Sequence, residues 1–273
     1  MSIRRGRGFV LGAIALAGAL AAWRLGLFER TLWPGSAGWD HLARFAGAAF
    51  APALHSQSDL ATPLLPQALE AAVHTVAFAA AATSLSLAVG ALLGLLASER
   101  WWMTIGTPRV LRTALYVASR VLIAFMRSIH EILWAVALLA AFGLNAAAAV
   151  LAIAIPYAGT LAKVLSEMLD EAPDDCADAL ALSGARPLAV FAFGLLPRAL
   201  PDMGAYAFYR FECALRSAAV LGFFGFPTLG KLVYEAAGEL YFNEVWTYLY
   251  VLIALVVIVE VWSGALRQRL TVS

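Results

Sequence analysis

Charged side chains inside long apolar runs are the first residues in this chain that could do chemistry. Arg120, Arg127, His130 and Glu131 fall within the apolar stretch Thr113 to Phe142, and Glu212 and Arg216 within Asp202 to Phe226. A charge near the middle of a bilayer costs about 2.5–3.5 kcal/mol even on lenient insertion scales, so each needs a partner or a polar path. Arg120 and Arg127 are seven residues apart and share a helix face. Arg127 and Glu131 are four apart, as are Glu212 and Arg216, so each pair is placed to meet on a helix. Arg210 lies nearer the start of its run and is expected to snorkel to the polar boundary. Glu131 and Glu212 fit either internal ion pairs that set helix register or a polar pathway. For Arg127, beside Ser128, the pathway role is the stronger reading. An anion crossing a low-dielectric passage needs a cation or oriented N–H donors, and the guanidinium fork supplies both.

A second candidate is Gly225 to Leu232, "GFPTLGKL". Gly225, Gly230 and Lys231 have the spacing of a phosphate-binding loop, but Leu232 lacks the hydroxyl that would reach magnesium. An apolar helix rather than a strand precedes the stretch, and Pro227 interrupts it. The pattern therefore predicts no nucleotide site. Gly222, Gly225 and Gly230 instead mark a sharp turn or gate, and irregular backbone at membrane depth is tolerated only inside protein or beside an aqueous cavity. His130-Glu131 opens like a zinc-binding His-Glu-x-x-His, but Trp134 stands where the second histidine is required. His41, His55 and His74 are scattered and read as structural. Cys176 falls in a polar loop and Cys213 in an apolar run, which argues against a disulfide, and two cysteines cannot make a zinc ribbon. The expectation is no catalytic residue, no metal site and no cofactor bound by this chain.

The elements that carry these residues are membrane helices. Of the 273 residues, 62% are hydrophobic and 14% charged, and the mean hydropathy is +0.80. Soluble domains are nearer ~45–50% apolar and ~25% charged. A net charge of +1 leaves no basic face for a nucleic acid. Six stretches are long enough to span: Phe9 to Phe28, Ala68 to Ala97, Thr113 to Phe142, Ala146 to Leu169, Asp202 to Phe226 and Val245 to Leu266. The predicted fold is all-α and polytopic. The first stretch follows "RRGRG" and resembles a signal peptide, but its length and the lack of a small-x-small cleavage site favour an uncleaved anchor. Arg4, Arg5 and Arg7, then Arg100, Arg109 and Arg112, then Arg186 and Arg198, then Arg267 and Arg269 are separated by even numbers of spans. All four groups then face the cytoplasm, with both termini inside. Glu29 to Gln67 becomes external. Within it, "WDHLARFAGAAFAPAL" has a helical apolar period and fits either a surface helix or a cap over the spans.

Glu171 to Asp202 is the long cytoplasmic loop. A short helix from about Pro173 to Ser183 is expected, with Asp174 and Asp175 in its first turn and a left-handed cap at Gly184. A second helix starts at Pro187. Ala181, Leu182, Leu188 and Val190 make this a docking knob rather than a solvated connector.

This loop resembles the "EAA" motif of the permeases of ABC importers. Asp178, Ala179 and Leu180 stand for Glu-Ala-Ala, Gly184 for its glycine, and Gly194, Leu196 and Pro197 for Ile-x-Leu-Pro. Aspartate, Leu180 and Gly194 depart from the pattern. The chain would thus divide into residues 1–67, a first helix with an external segment, and a permease core of residues 68–273 with its coupling loop at 171–201. "RSIHEILWA", Arg127 to Ala135, and "YRFECALRSAAVLGFFG", Tyr209 to Gly225, are similar to the phosphonate branch, which includes phosphite and hypophosphite importers. Methionine-type permeases also carry the Arg-Ser-Ile of Arg127, Ser128 and Ile129, usually with proline where His130 stands here. Pro227 and Thr228 replace two glycines of that branch's turn. The resemblance implies that Asp178, Ala179, Gly184, Leu196 and Pro197 couple to a separate ATPase. It places Arg127, Ser128, His130, Glu131, Glu212 and Arg216 along the substrate path. It further implies a second copy of the chain, a cytoplasmic ATPase dimer that binds ATP and magnesium, an external substrate-binding protein, and a bacterial inner membrane. A permease for methionine or a sulfonate is the nearer alternative. An intramembrane enzyme would need a nucleophile–base pair or paired aspartates inside the spans, and a secondary transporter would need two mirrored halves.

Overall fold

The computed structural model describes residues 2–27, 35–58 and 62–272. All the regular structure among them is helical, apart from an isolated bridge between His55 and Pro63. The chain separates into two compact units, residues 1–51 and 52–273. The first holds α1, Ser2–Arg24, and α2, Ser36–Ala48. The apolar part of α1, Val10–Arg24, is shorter than the spans of the second unit, and the expected end at Phe28 lies outside the described residues. The predicted helical period is realised in α2 only as far as Ala48, with Arg44 bonded to His41 Nδ1 at 2.8 Å, and residues 49–54 leave the helix.

The second unit begins with the long α3, Leu64–Leu96, and the short α4, Glu99–Thr104, capped by Ser98. Next come α5, Arg109–Ser128; α6, Glu131–Phe142; and α7, Ala146–Glu171, whose N-cap Asn145 accepts from the Ala148 amide at 2.8 Å. The loop carries α8, Asp175–Leu182, and α9, Pro187–Ala189. A π-helical turn, Val190–Leu195, then leads into α10, Leu196–Val220. A 3-10 turn, Leu221–Phe224, α11, Leu229–Gly238, and α12, Phe242–Val272, complete it.

Among the described residues four helical segments are long and apolar enough to cross a membrane, and α5 with α6 makes a fifth if the bent pair is one span. The third expected span is therefore not one helix. Its halves meet at 89°. Ser128 bonds back to the Phe125 carbonyl at 2.8 Å, and His130, in extended backbone, accepts from the Ile132 amide at 3.3 Å. Side chains that satisfy backbone groups locally end one helix and start the next. The fifth span also differs: the helix runs continuously from Pro187 to Phe224, so the second half of the cytoplasmic loop is the foot of that span.

Helix α7 is the axis of the unit. Its most apolar window is 67% buried, against 6% for α12, so α7 packs on all sides and α12 turns outward. Ala149, Ile153 and Tyr157 of α7 meet Ala79 and Ala82 of α3 and Ala214, Leu215 and Ala218 of α10. Small residues let these backbones approach closely, the usual source of cohesion where lipid removes the hydrophobic drive. Residues 52–58 fold back as a strap on α12. Thr247 donates to the Ala53 carbonyl at 2.6 Å, and the buried Glu244 accepts from Ser56 at 3.3 Å and from the Gln57 amide.

Candidate functional site

The break between α5 and α6 redistributes the predicted charges. Arg127 ends α5 and Glu131 opens α6, so the expected i,i+4 pair does not form. Arg127, Ser128 and His130 are exposed, and the Arg127 Cγ packs where a Cβ at Gly159 would lie, 2.9 Å away. Glu131 reaches α10 instead. Ser217 Oγ donates to Glu131 Oε1 at 2.8 Å, and Tyr157 Oη lies 2.8 Å from Ser217 Oγ. A hydroxyl has one proton, and that of Ser217 goes to the carboxylate, so Tyr157 donates to Ser217. His130 Nε2 is 3.8 Å from Glu131 Oε2. The Arg210 guanidinium lies over the Tyr157 ring, 3.9 Å from its centroid. Arg210 thus does not snorkel away, because a buried ring within reach offers it a cation–π seat.

Arg120 does not join Arg127. It faces Asp170 at 3.9 Å and Tyr116 at 5.2 Å. Asp170 also accepts from Ser98 Oγ at 2.6 Å and from the Arg100 amide at 3.2 Å, and so ties the α3–α4 corner and α5 to α7. Glu212 is buried and pairs with Arg267 of α12 at 2.8 Å, not with Arg216. Arg216 lies on an exposed face, at a cavity of about 410 Å³ between α10, α11 and α12 that is otherwise apolar. Sequence spacing within one helix could not reveal either cross-helix partner.

The predicted turn is built as a close backbone crossing. Gly225 is left-handed, with φ +97°. A Cβ at Gly222 would strike the Lys231 amide, and one at Gly230 the Ala219 carbonyl. Thr228, fully buried, donates to the Ala219 carbonyl at 3.1 Å, and Thr75 of α3 accepts from the Leu229 amide at 3.1 Å. Helical backbone precedes the turn, where a phosphate-binding loop needs a strand.

In the cytoplasmic loop, Asp178 and Ala179 are exposed on α8, and Gly184 takes the expected left-handed cap at φ +82°. Leu182 is 90% exposed and Leu188 62%, so the apolar knob is presented rather than buried. Its other side is anchored. Ala177 packs into a cluster with Val190, Phe191 and Leu195, and Trp101 meets Phe191 edge-on at 4.8 Å. Gly194 explains one departure from the motif: a Cβ there would lie 2.8 Å from the Ala177 Cα, so α8 rests directly on backbone. Leu196 and Pro197 form the first turn of α10. Among the described residues no cluster of three or more His, Cys, Asp or Glu side chains is placed to hold a metal ion.

Tyr157 and Ser217 were not singled out from sequence, and Arg210 was assigned to the membrane boundary. The available signal was the spacing Tyr206, Arg210, Cys213, Ser217, steps of four, three and four that mark one polar stripe on α10.

Apolar spans around a central helix, with an anchored knob at the foot of one of them, define the membrane domain of a solute importer. Residues 90–272 match the family described as binding-protein-dependent transport system inner membrane component, and the chain belongs to it. It is similar to the phosphite transport system permease protein PtxC of Stutzerimonas stutzeri, 27% identical over 250 residues, which cover 92% of this chain and 84% of that protein. The phosphate-import permease protein PhnE of Mycolicibacterium smegmatis is 29% identical over 200 residues, covering 73% of this chain but 36% of that longer protein. A putative phosphite transport permease of S. stutzeri, HtxC, is 28% identical over 264 residues, 97% of this chain and 87% of that protein. Among solved structures, the MetNI methionine ABC transporter in an inward-facing form aligns with a TM-score of 0.64 at 19% identity, covering 76% of this chain and 97% of that one. At that identity the likeness establishes the fold. The expected family, an ABC-importer permease, is thus the one found.

Proposed function

We propose that this chain is the transmembrane subunit of an ATP-driven importer of small phosphorus oxyanions, and that it forms the passage and has no catalytic site of its own. The exposed knob of α8 and α9 carries this reading: Leu182 and Leu188 face outward while Ala177 and Phe191 anchor the other side to the foot of α10. A groove on a separate cytoplasmic ATPase is its partner, and that ATPase binds the ATP and magnesium. A second copy of the chain completes the passage, and an external binding protein delivers the solute. Both termini lie in the cytoplasm, and residues 68–273 form the permease core. The oxyanion class is supported by relatives named for phosphite and phosphate transport across most of this chain.

The test is ATP-dependent uptake of labelled phosphite, hypophosphite and methylphosphonate by the complex with its ATPase and binding protein in proteoliposomes. Uptake of at least one is expected. Uptake of methionine or a sulfonate, and of none of these, would overturn the substrate class.

A further inference from the structure

Arg127 of α5 and Arg210 of α10 both pack against α7, at Gly159 and Tyr157, and lack carboxylate partners. Among the described residues neither Arg127 nor Arg210 has one within ion-pair distance. Arg210 lies flat on Tyr157, 3.9 Å from the ring centroid, and its Nε is buried without a hydrogen-bond partner. A guanidinium stacked on a ring keeps its in-plane N–H donors unspent. The ring beneath it is held in turn: Tyr157 is 6% exposed, and its hydroxyl is fixed through Ser217 to Glu131 at 2.8 Å per step. Tyr206, one turn before Arg210, lies within electrostatic reach of both Arg210 and Arg127. It also lines a cavity of about 540 Å³ with Arg198, Asp202 and Arg267 at the foot of α10. Two guanidinium charges against the one carboxylate of Glu131, which accepts a hydrogen bond from Ser217, sum to a net positive charge. Stripe residues Tyr206, Arg210 and Cys213 remain partly open, so the arrangement is not a closed core.

The geometry points to an oxyanion subsite formed by Arg210 with Arg127, with Tyr157, Ser217 and Glu131 as positioning residues. This rests on the importer reading above and assigns its anion contact to Arg210, which the helix spacing had sent to the membrane boundary. The ligand is a tetrahedral oxyanion with at least two adjacent oxygens, matched to the guanidinium edge. Glu212 and Arg216 have no part in it, because Glu212 is bound to Arg267 on another face of α10.

The experiment uses the full complex in proteoliposomes, with phosphite, phosphate and methylphosphonate as probes. Arg210→Gln should cut maximal uptake by about tenfold or more, the loss of one or two charge-assisted hydrogen bonds. Its melting temperature and binding-protein-stimulated ATP hydrolysis should be retained. Arg210→Lys should keep more uptake than Gln, because the charge survives without the fork. Tyr157→Phe keeps the ring but frees it from Ser217. It should lower uptake when Arg210 is present and add nothing to Arg210→Gln, a non-additivity that a merely structural hydroxyl would not produce. If the wild-type complex imports an oxyanion and Arg210→Gln imports it equally well, the subsite is wrong and the importer reading stands. If the wild type imports none of the probes, the importer reading fails and the subsite falls with it. Should Arg210→Gln fail to assemble, Arg210→Lys decides: assembled complex with unchanged uptake overturns the subsite.

Discussion

Glu212 is 5% exposed on a helix that crosses an apolar medium, and it pairs with Arg267 at 2.8 Å. Removing one member of a buried pair strands the other charge, at about 3–5 kcal/mol when both are fully buried. Arg267 is nearly a third exposed, so water screens part of this cost. Arg267→Ala is therefore expected to lower the melting temperature and yield of the purified complex. Glu212→Gln in that background should restore much of both, because a neutral amide tolerates the site better than a lone carboxylate. An Arg267→Ala protein as stable as the wild type would show that the pair does not hold α10 to α12. The same logic separates Glu212 from Glu131, which accepts from the Ser217 hydroxyl and forms no ion pair with Arg127 or Arg210 among the described residues.

Two glycines show how an element can serve coupling or folding. Gly184 ends α8 with φ +82°, and no atom lies within 4 Å of the place a Cβ would occupy. Gly184→Val therefore costs only the left-handed backbone, about 1–2 kcal/mol, and changes the outline of an exposed knob. The protein should still insert, but the ATPase should be lost from pull-downs. Gly230 sits against the Ala219 carbonyl, where even a methyl group collides with backbone. Gly230→Ala should lower melting temperature and yield before any effect on ATPase recovery is seen. Equal ATPase recovery by Gly184→Val and wild type would remove α8 from the coupling role. The α5–α6 break belongs at this scale as well: the 89° corner directs Glu131 to Ser217 and leaves Arg127 at the end of its own helix.

For the whole molecule, the orientation rests on the distribution of arginines and is open to a direct test through Cys176, an exposed native cysteine on α8. With Cys213 replaced by alanine, an impermeant thiol reagent should leave Cys176 unmodified in intact cells and modify it in inside-out vesicles. A cysteine placed at Ser58 should show the reverse. Labelling of Cys176 in intact cells would invert the proposed topology and put the knob out of reach of a cytoplasmic ATPase. The strap of residues 52–58 on α12 fits an outer position for Ser58, because α12 starts at the end opposite Arg267 and Arg269.

Properties set by local chemistry were available from the amino-acid order. Apolar run lengths marked the bilayer, Gly184 and Pro187 bounded α8 and α9, and Gly222, Gly225 and Gly230 marked a turn. Each follows from what one residue type permits its own backbone or from how many apolar residues a bilayer requires. Charge partnerships were different. Spacing of four within a helix suggested Arg127 with Glu131 and Glu212 with Arg216, yet the bonds run from Glu131 to Ser217 and from Glu212 to Arg267, across helices distant in sequence. A corner at Ile129 and His130 and the packing of α10 against α7 and α12 chose them. Electrostatic partnership depends on distance in space, and only the packed bundle sets which helix faces lie together.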